Sequence, residues 1–578
     1  MRIQSNKYLQ LTPSQILRLE HQGCYAADWS LVTIHKDSDL SLIRSSRFYG
    51  AVRIGELTAS PGRKTGIFNS VIENCRIGNR PYISNIGGIL QGIVIGNEVT
   101  IENCGRITAD PEADCALGHP VAVLDETGSR PVPLYPALTS QIATLFARYP
   151  RIAEHHLLPL LKETWDLYGN GARIGDHAVV RDCTEIHNVW IDSYVHVAGA
   201  TYLSDGRVIN NAGQNPYAYI GSGVNAKNFM IVDGRVDAGC LLRNCFVGQG
   251  VELSKGFSAH DSLFFANSSC ECGEACAIIA GPYTVTMHKS SLLIGAEYSF
   301  MNAGSGTNSS NHMYKLGPVH WGTMHRGVKT ASGAYMMWEG EIGAYSLLMG
   351  AHKSHPNTSM FPFSYLFGNP DGKTIVAPAL MLRSCGLMRD KIKWPNRDRR
   401  KDAKLPLHDN IHFEVLSPVT VQLMLSALPL LEQIAAAGPE AGKYVEYGGV
   451  LISPKAAARG IEIYTQAIVI YLHRILEQAS EHPEWQQTSL VIPEKWIDLG
   501  GQIIPAYLID QIKEAESFSE VTELIQNAYR HFPELEYQWV KSILTPAWEE
   551  CLRNVEDYSR PFHEAIEADR QKSLDSIK

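Results

Sequence analysis

The sequence predicts a mainly β protein: short parallel strands stacked as coils, an inserted helical pair, and an α-helical C-terminal domain. Three observations carry this. β-Branched residues recur every six positions. Of 48 glycines in 578 residues, 41 precede residue 405. Beyond that point helical spacing and acidic character take over.

The repeat comes first because an unnoticed period misassigns a whole fold. Val71, Ile77, Ile83, Ile89, Ile95, Ile101 and Ile107 lie six apart. A helix would return apolar residues at three and four, and one long strand would alternate at two. Six fits a short strand plus a turn, so three hexads make one coil of about 18 residues whose copies pair in parallel. The period returns at Ile174, Val180 and Ile186, at Val197, Leu203 and Ile209, and more loosely at Val236, Leu242, Val247 and Leu253. An apolar–polar–polar–Cys echo ends at Cys75, Cys104, Cys183 and Cys245. These cysteines read as small packable residues beside corners, where Asn and Gly supply positive φ.

The elements follow in order. Residues 1–47 form an N-terminal cap with a helix near Pro13–Gln22, and coils occupy 48–110. The period breaks over 111–170, where Ile142, Leu145, Phe146 and Tyr149 recur at helical spacing and Ile152–Tyr168 reads as a second helix. The main coil body runs over 171–385. Residues 386–404 are a basic linker, with Lys393, Arg397 and Arg399 among its cations, read as solvated, phosphate-binding or docked on the acidic tail. Residues 405–578 form the acidic helical domain, with Ser453-Pro454 as a helix start and Ile461, Tyr464, Ile468, Tyr471 and Ile475 as one stripe. Covering the exposed strand edges of the coil end is a role for this domain.

Composition bounds the function. With 45% hydrophobic and 19% charged residues the chain is not disordered. No apolar run is read as a membrane span and no signal core opens the chain, so a cytoplasmic location with twelve reduced cysteines is expected. The net charge of −9 argues against a nucleic-acid partner. It is uneven: −13 after residue 404 and +4 before.

The chemistry concentrates late in the coils. From Tyr298 to Trp338 there is no Asp or Glu in 41 residues, while Lys315, Arg326 and Lys329 fall inside. Five histidines fall between 312 and 355: His312, His320, His325, His352 and His355. An acid-free stretch with His and cations suits a small anionic, phosphate-bearing substrate. Asn311, His312, Lys315, Arg326, Lys329, Trp338, His352 and His355 are the candidate substrate-binding residues. His320 and His325 are the candidate bases, since imidazole titrates near neutral pH. Cys270, Cys272 and Cys276 lack a fourth metal ligand nearby in sequence.

The stretch Val71-Ile72-Glu73-Asn74-Cys75-Arg76-Ile77-Gly78 resembles the coils of the hexapeptide-repeat superfamily of sugar-nucleotide pyrophosphorylases and acyltransferases. That resemblance implies a left-handed parallel β-helix, where crossovers are ordinarily right-handed, and a homo-oligomer, most simply a trimer. It also implies acyl transfer from acyl-CoA or an acyl-carrier thioester to a phosphorylated or nucleotide-linked sugar. His320 and His325, five apart, with His312, resemble the zinc ligands of γ-class carbonic anhydrases, which would make zinc the cofactor. A non-catalytic scaffold or binding protein is the third alternative. The block Asn311–Pro318, with Pro362-Phe363-Ser364-Tyr365-Leu366, resembles a domain-of-unknown-function family of long bacterial hexapeptide-repeat proteins, from which no activity transfers.

Overall fold

The computed structural model describes residues 7–59, 61–311, 317–437, 443–487 and 490–575. The chain is mainly β, with large sheets of parallel strands and a helical C-terminal region. Strands pair in three columns. One runs through Ile72, Leu90, Ile107, Ile186 and Leu203. Another runs through Ile54, Ile77, Ile95, Ile174 and Ile191. The third runs through Ile67, Ile83, Ile101, Val180 and Val197. All these side chains are buried.

The period is looser than six. Ile72 and Leu90 point inward, whereas Val71 and Ile89 are only half-buried. Val208 likewise takes the inner place expected of Ile209, which packs on the flank. Corners absorb a residue more or less, and a one-residue slip moves a strand side chain to the opposite face.

The corners explain the cysteine echo. Asn74, Asn103, Asp182 and Asn244 have φ of 52°, 55°, 56° and 52°. Each turns the chain so that the next residue, Cys75, Cys104, Cys183 or Cys245, is buried with its thiol on the carbonyl two residues before. Burial pushes the Cys75 thiol up to about 11 and that of Cys245 up to about 12, so both stay protonated and inert. Amides stack along one corner, Asn69 to Asn85 to Asn103 to Asp182, at 3.2, 3.1 and 3.2 Å.

The N-terminal helix spans Pro13–His21, opened by a Thr12/Gln15 capping box. In the insertion, the helix Ser140–Arg148 is capped by Thr139. The expected second helix is broken. A π turn at Ala153–Leu157 and a short helix Leu158–Lys162 precede a 3-10 turn at Trp165–Tyr168. Pro159, with no N–H to donate, interrupts the ladder there. A Pro120–Ala122/Pro131–Pro133 hairpin was not expected. The insertion lies on the coil flank: Leu145, Phe146 and Leu157 cluster with Met230, Phe246 and Leu263. Arg207, fully buried, pins it by donating to the carbonyls of Cys115, Tyr168, Asp114 and Gly169 at 2.7–3.2 Å.

The basic segment folds as the helices Cys385–Asn396 and Arg399–Asp402, laid on the coils rather than left as a loose linker. Arg400 is buried and paired with Asp398 at 2.9 Å. Arg399 reaches Glu252 at 2.7 Å and Ser269 at 3.0 Å. The C-terminal region contains long helices at Pro418–Ala436 and Pro454–Glu481, but it is not purely helical. Val450–Ile452 pairs in parallel with Thr374–Val376, closing a free edge of the coil sheet. A second hairpin, Trp496–Leu499 with Gln502–Pro505, joins the flank cluster. Contrary to expectation, the 19-residue helix Pro418–Ala436 is long and apolar enough to cross a membrane on length and composition. Val421, Met424, Ala427 and Leu431 bury one side of it in the core.

Candidate functional site: a cationic, aromatic cavity

The late-coil residues singled out by sequence do not gather in one pocket. Trp338 is buried, with Nε1 donating to the Ile294 carbonyl at 2.7 Å. His352 is buried inside a column, its Nδ1 2.9 Å from Thr374 Oγ1, and burial holds its pKa down to about 4. Asn311 is buried and donates to Glu126 at 2.6 Å. His355 sits at a corner with φ 52° and its Nδ1 unpartnered. His312 and Lys315 lie outside the described residues.

Arg326 is the clearest correction. Its side chain is 1% exposed, donates to the His412 carbonyl at 2.6 Å, and lies 3.5 Å from Asp498. It holds the C-terminal hairpin to the coils and cannot reach a phosphate in solvent. His320 and His325 are half-buried, 3.9 Å from Glu339 and 3.7 Å from Glu341. The void beside His325, also lined by Arg148, Glu297 and Asp498, measures about 10 Å³, room for one water and not for a sugar. Among the described residues no three His, Cys, Asp or Glu side chains are placed to hold a metal.

The acid-free window is therefore not acid-free in space. Glu126 reaches Asn311, Glu339 faces His320, Glu341 faces His325, Asp498 faces Arg326, and Asp390 pairs with Lys329. Each acid comes from outside residues 298–338.

Lys329 alone of the predicted group lines a large cavity. The cavity measures 590 Å³, within the roughly 300–1,000 Å³ of small-molecule sites. Its floor is an outward strand face on which Val285, Asn302 and Lys329 lie in register. Its roof is the basic segment, contributing Lys393, Trp394 and Arg397. Its wall is a corner ladder.

That ladder departs from the Asn corners. Tyr283, Phe300, Gly327, Tyr345 and Phe363 each donate N–H to the residue preceding the corner below, at 2.7–2.9 Å. The four aromatics hold φ of 51–59°. Bulky residues there cost about 1–3 kcal/mol each, offset in part by stacking of about 0.5–1.5 kcal/mol per pair. Tyr283 stacks on Phe300 at 5.5 Å and Tyr345 on Phe363 at 5.2 Å. Gly327 leaves a rung empty, and any Cβ there would meet the Tyr345 ring at 2.1 Å. The Tyr345 ring fills that space, and Trp394 packs beside the ladder, 4.9 Å from Phe300 and 6.3 Å from Tyr345.

The charges are unequal. Lys329 pairs with Asp390 and Arg399 with Glu252, closing the two ends of the roof. Among the described residues Lys393 and Arg397 form no ion pair, although Asp390 and Asp402 also line the cavity; burial, and then repulsion from Arg397 that outweighs attraction to Asp390, lowers the Lys393 pKa. Tyr283 lines the cavity and is 95% buried; its hydroxyl is closed off from solvent, near the Asn267 side chain.

The basic run marked Lys393 and Arg397, but sequence reading missed Tyr283, Phe300 and Trp394. The available signal was an aromatic spacing of 17 from 283 to 300 and of 18 from 345 to 363.

Fold and cavity define a mainly β protein of parallel strands with a cavity lined by cationic and aromatic residues. The family described as "Domain of unknown function (DUF4954)" matches residues 8–435, and the chain belongs to that family. The whole cavity lies inside the matched span. An uncharacterized protein from Treponema pallidum (strain Nichols) is 25% identical over 450 residues, 73% of this chain. The match covers 61% of that relative's length.

Proposed function

We propose that this chain binds a small phosphate-bearing ligand in the cavity between the coils and the basic segment. The observation that carries the reading is the pair Lys393 and Arg397, two cations that form no ion pair among the described residues, over a 590 Å³ cavity. Lys393 and Arg397 repel one another more than Asp390, itself paired with Lys329, offsets, and an oxyanion relieves that repulsion. Assignment of the coils to the left-handed hexapeptide class, and assembly with further copies of the chain, belong to the same proposal. Three pairing columns offset by about one coil support the coil class.

Acyl transfer at this cavity finds less support, because no described histidine lines it. The cavity favours the binding side of the expectation, with phosphate as the recognised group.

Thermal denaturation with inorganic pyrophosphate tests the reading. A ligand at about a hundred times its Kd stabilises by about 2.7 kcal/mol, a visible rise in Tm. The rise is expected for the wild type and not for the Lys393→Ala/Arg397→Ala double variant. No rise in the wild type sinks the reading.

A further inference from the structure

We infer that the ligand of this cavity is a nucleoside diphosphate or its derivative, and not a phosphosugar without a base. The inference rests on the phosphate-binding reading above and extends it to the rest of the ligand.

The cavity lining carries two chemistries. Lys393 and Arg397 suit two adjacent phosphates. The rest is aromatic and amide-rich. Half-buried Trp394 presents ring surface to the cavity, backed by the almost wholly buried rings of Phe300 and Tyr283. Asn302 and Asn396 line the same space, and neither side-chain amide has a protein partner among the described residues. Amides pair with the donor–acceptor edge of a base, and aromatic rings stack on its face. A sugar phosphate would use the cations and leave the rings idle. An aliphatic chain would use the rings and leave the two amides unpaired, which apolar occupancy penalises.

The two chemistries are held in fixed relation. Trp394 and Lys393 are adjacent on one helix, and that helix is tied to the coils by Lys329–Asp390 and through Arg399–Glu252 beyond its end. Trp394 is further packed against Phe300. The site is preformed, so little ordering entropy opposes binding.

Calorimetric titration of the full chain with ADP, UDP and inorganic pyrophosphate decides the matter. At least one nucleotide is expected to bind about ten-fold tighter than pyrophosphate, the usual scale of one base–ring stack. Trp394→Ala should remove that advantage and leave pyrophosphate affinity unchanged. Should that variant fail to fold, Asn302→Ala/Asn396→Ala, both exposed, should reduce the nucleotide advantage several-fold with the same pyrophosphate affinity. Pyrophosphate binding as tightly as both nucleotides overturns this inference and leaves the phosphate reading standing. Absence of binding by all three overturns both.

Discussion

Two corner ladders of the same coil body differ in almost every respect. Asn69, Asn85, Asn103 and Asp182 form an open ladder of small polar residues, amide on amide, facing solvent. Tyr283, Phe300, Tyr345 and Phe363 hold the same left-handed backbone with large rings, under the basic segment that carries Trp394. The backbone demand is identical, so the difference comes from what lies outside. An open corner needs only a side chain that tolerates φ > 0 and satisfies itself in water. A covered corner must also supply apolar area to the covering element. Where the coil is covered it departs furthest from its repeat, and there the cavity lies.

The largest effect that sharpens this contrast is expected at the covered interface. Arg326→Ala strands Asp498 without its cation in a nearly buried setting, and a loss of about 3–5 kcal/mol is expected in urea denaturation. Among the described residues no comparable pair joins the open Asn ladder to another element.

Acid should act on the same covered region. Burial holds His352 down to about 4, and burial with the Arg326 charge holds His412 down to about 3. Both are neutral in the fold and protonate more readily when unfolded, so the unfolded state binds more protons below about pH 6.5. Their contribution is complete above that pH and is lost as pH falls toward 4. His352 alone accounts for about 3 kcal/mol. The check is the urea midpoint of wild type and His352→Asn at pH 7 and pH 4, with a smaller acid-induced drop expected in the variant.

A smaller effect compares two glycines. Gly327 and Gly239 hold φ of 74° and 78°, but a Cβ on Gly239 meets nothing within 4 Å. Both alanine variants pay the backbone strain, and only Gly327→Ala collides with Tyr345. It should be less stable than Gly239→Ala by a further ~1–3 kcal/mol. Equal losses would mean that the covered ladder is no tighter than an open corner.

The smallest effect is on the open ladder. Asn85→Ala should cost about 1 kcal/mol or less, since its bonds at 3.2 and 3.1 Å are exchanged with water.

This contrast also explains what could be read from sequence. The early coils were legible because Ile77 pairs with Ile95 and Ile83 with Ile101 across successive turns, and a local period is written directly into such a contact. The corner slips that moved Ile72 and Leu90 inward were not, because loop length at a corner changes no residue type. The candidate site was legible in its cations and not in its arrangement. The acid-free run from Tyr298 to Trp338 pointed to an anion site, yet Glu126, Asp390 and Asp498 arrive from distant elements to occupy Asn311, Lys329 and Arg326. Linear charge counting cannot see partners that are 61 to 185 residues away. Lys393 and Arg397 were visible as part of a basic run. Their role depends on Trp394 packing against Phe300, a long-range event.

The central claim is that the unpaired cations over the covered corner hold phosphate. Its most direct measurement is calorimetric titration with inorganic pyrophosphate of three proteins: wild type, Lys393→Ala/Arg397→Ala, and Lys227→Ala/Arg243→Ala, whose cations are exposed on a different coil face. One site per chain is expected in the wild type and in the Lys227/Arg243 variant, with affinity at least ten-fold weaker in the Lys393/Arg397 variant. Equal affinity in all three proteins, or no binding in the wild type, would contradict the account.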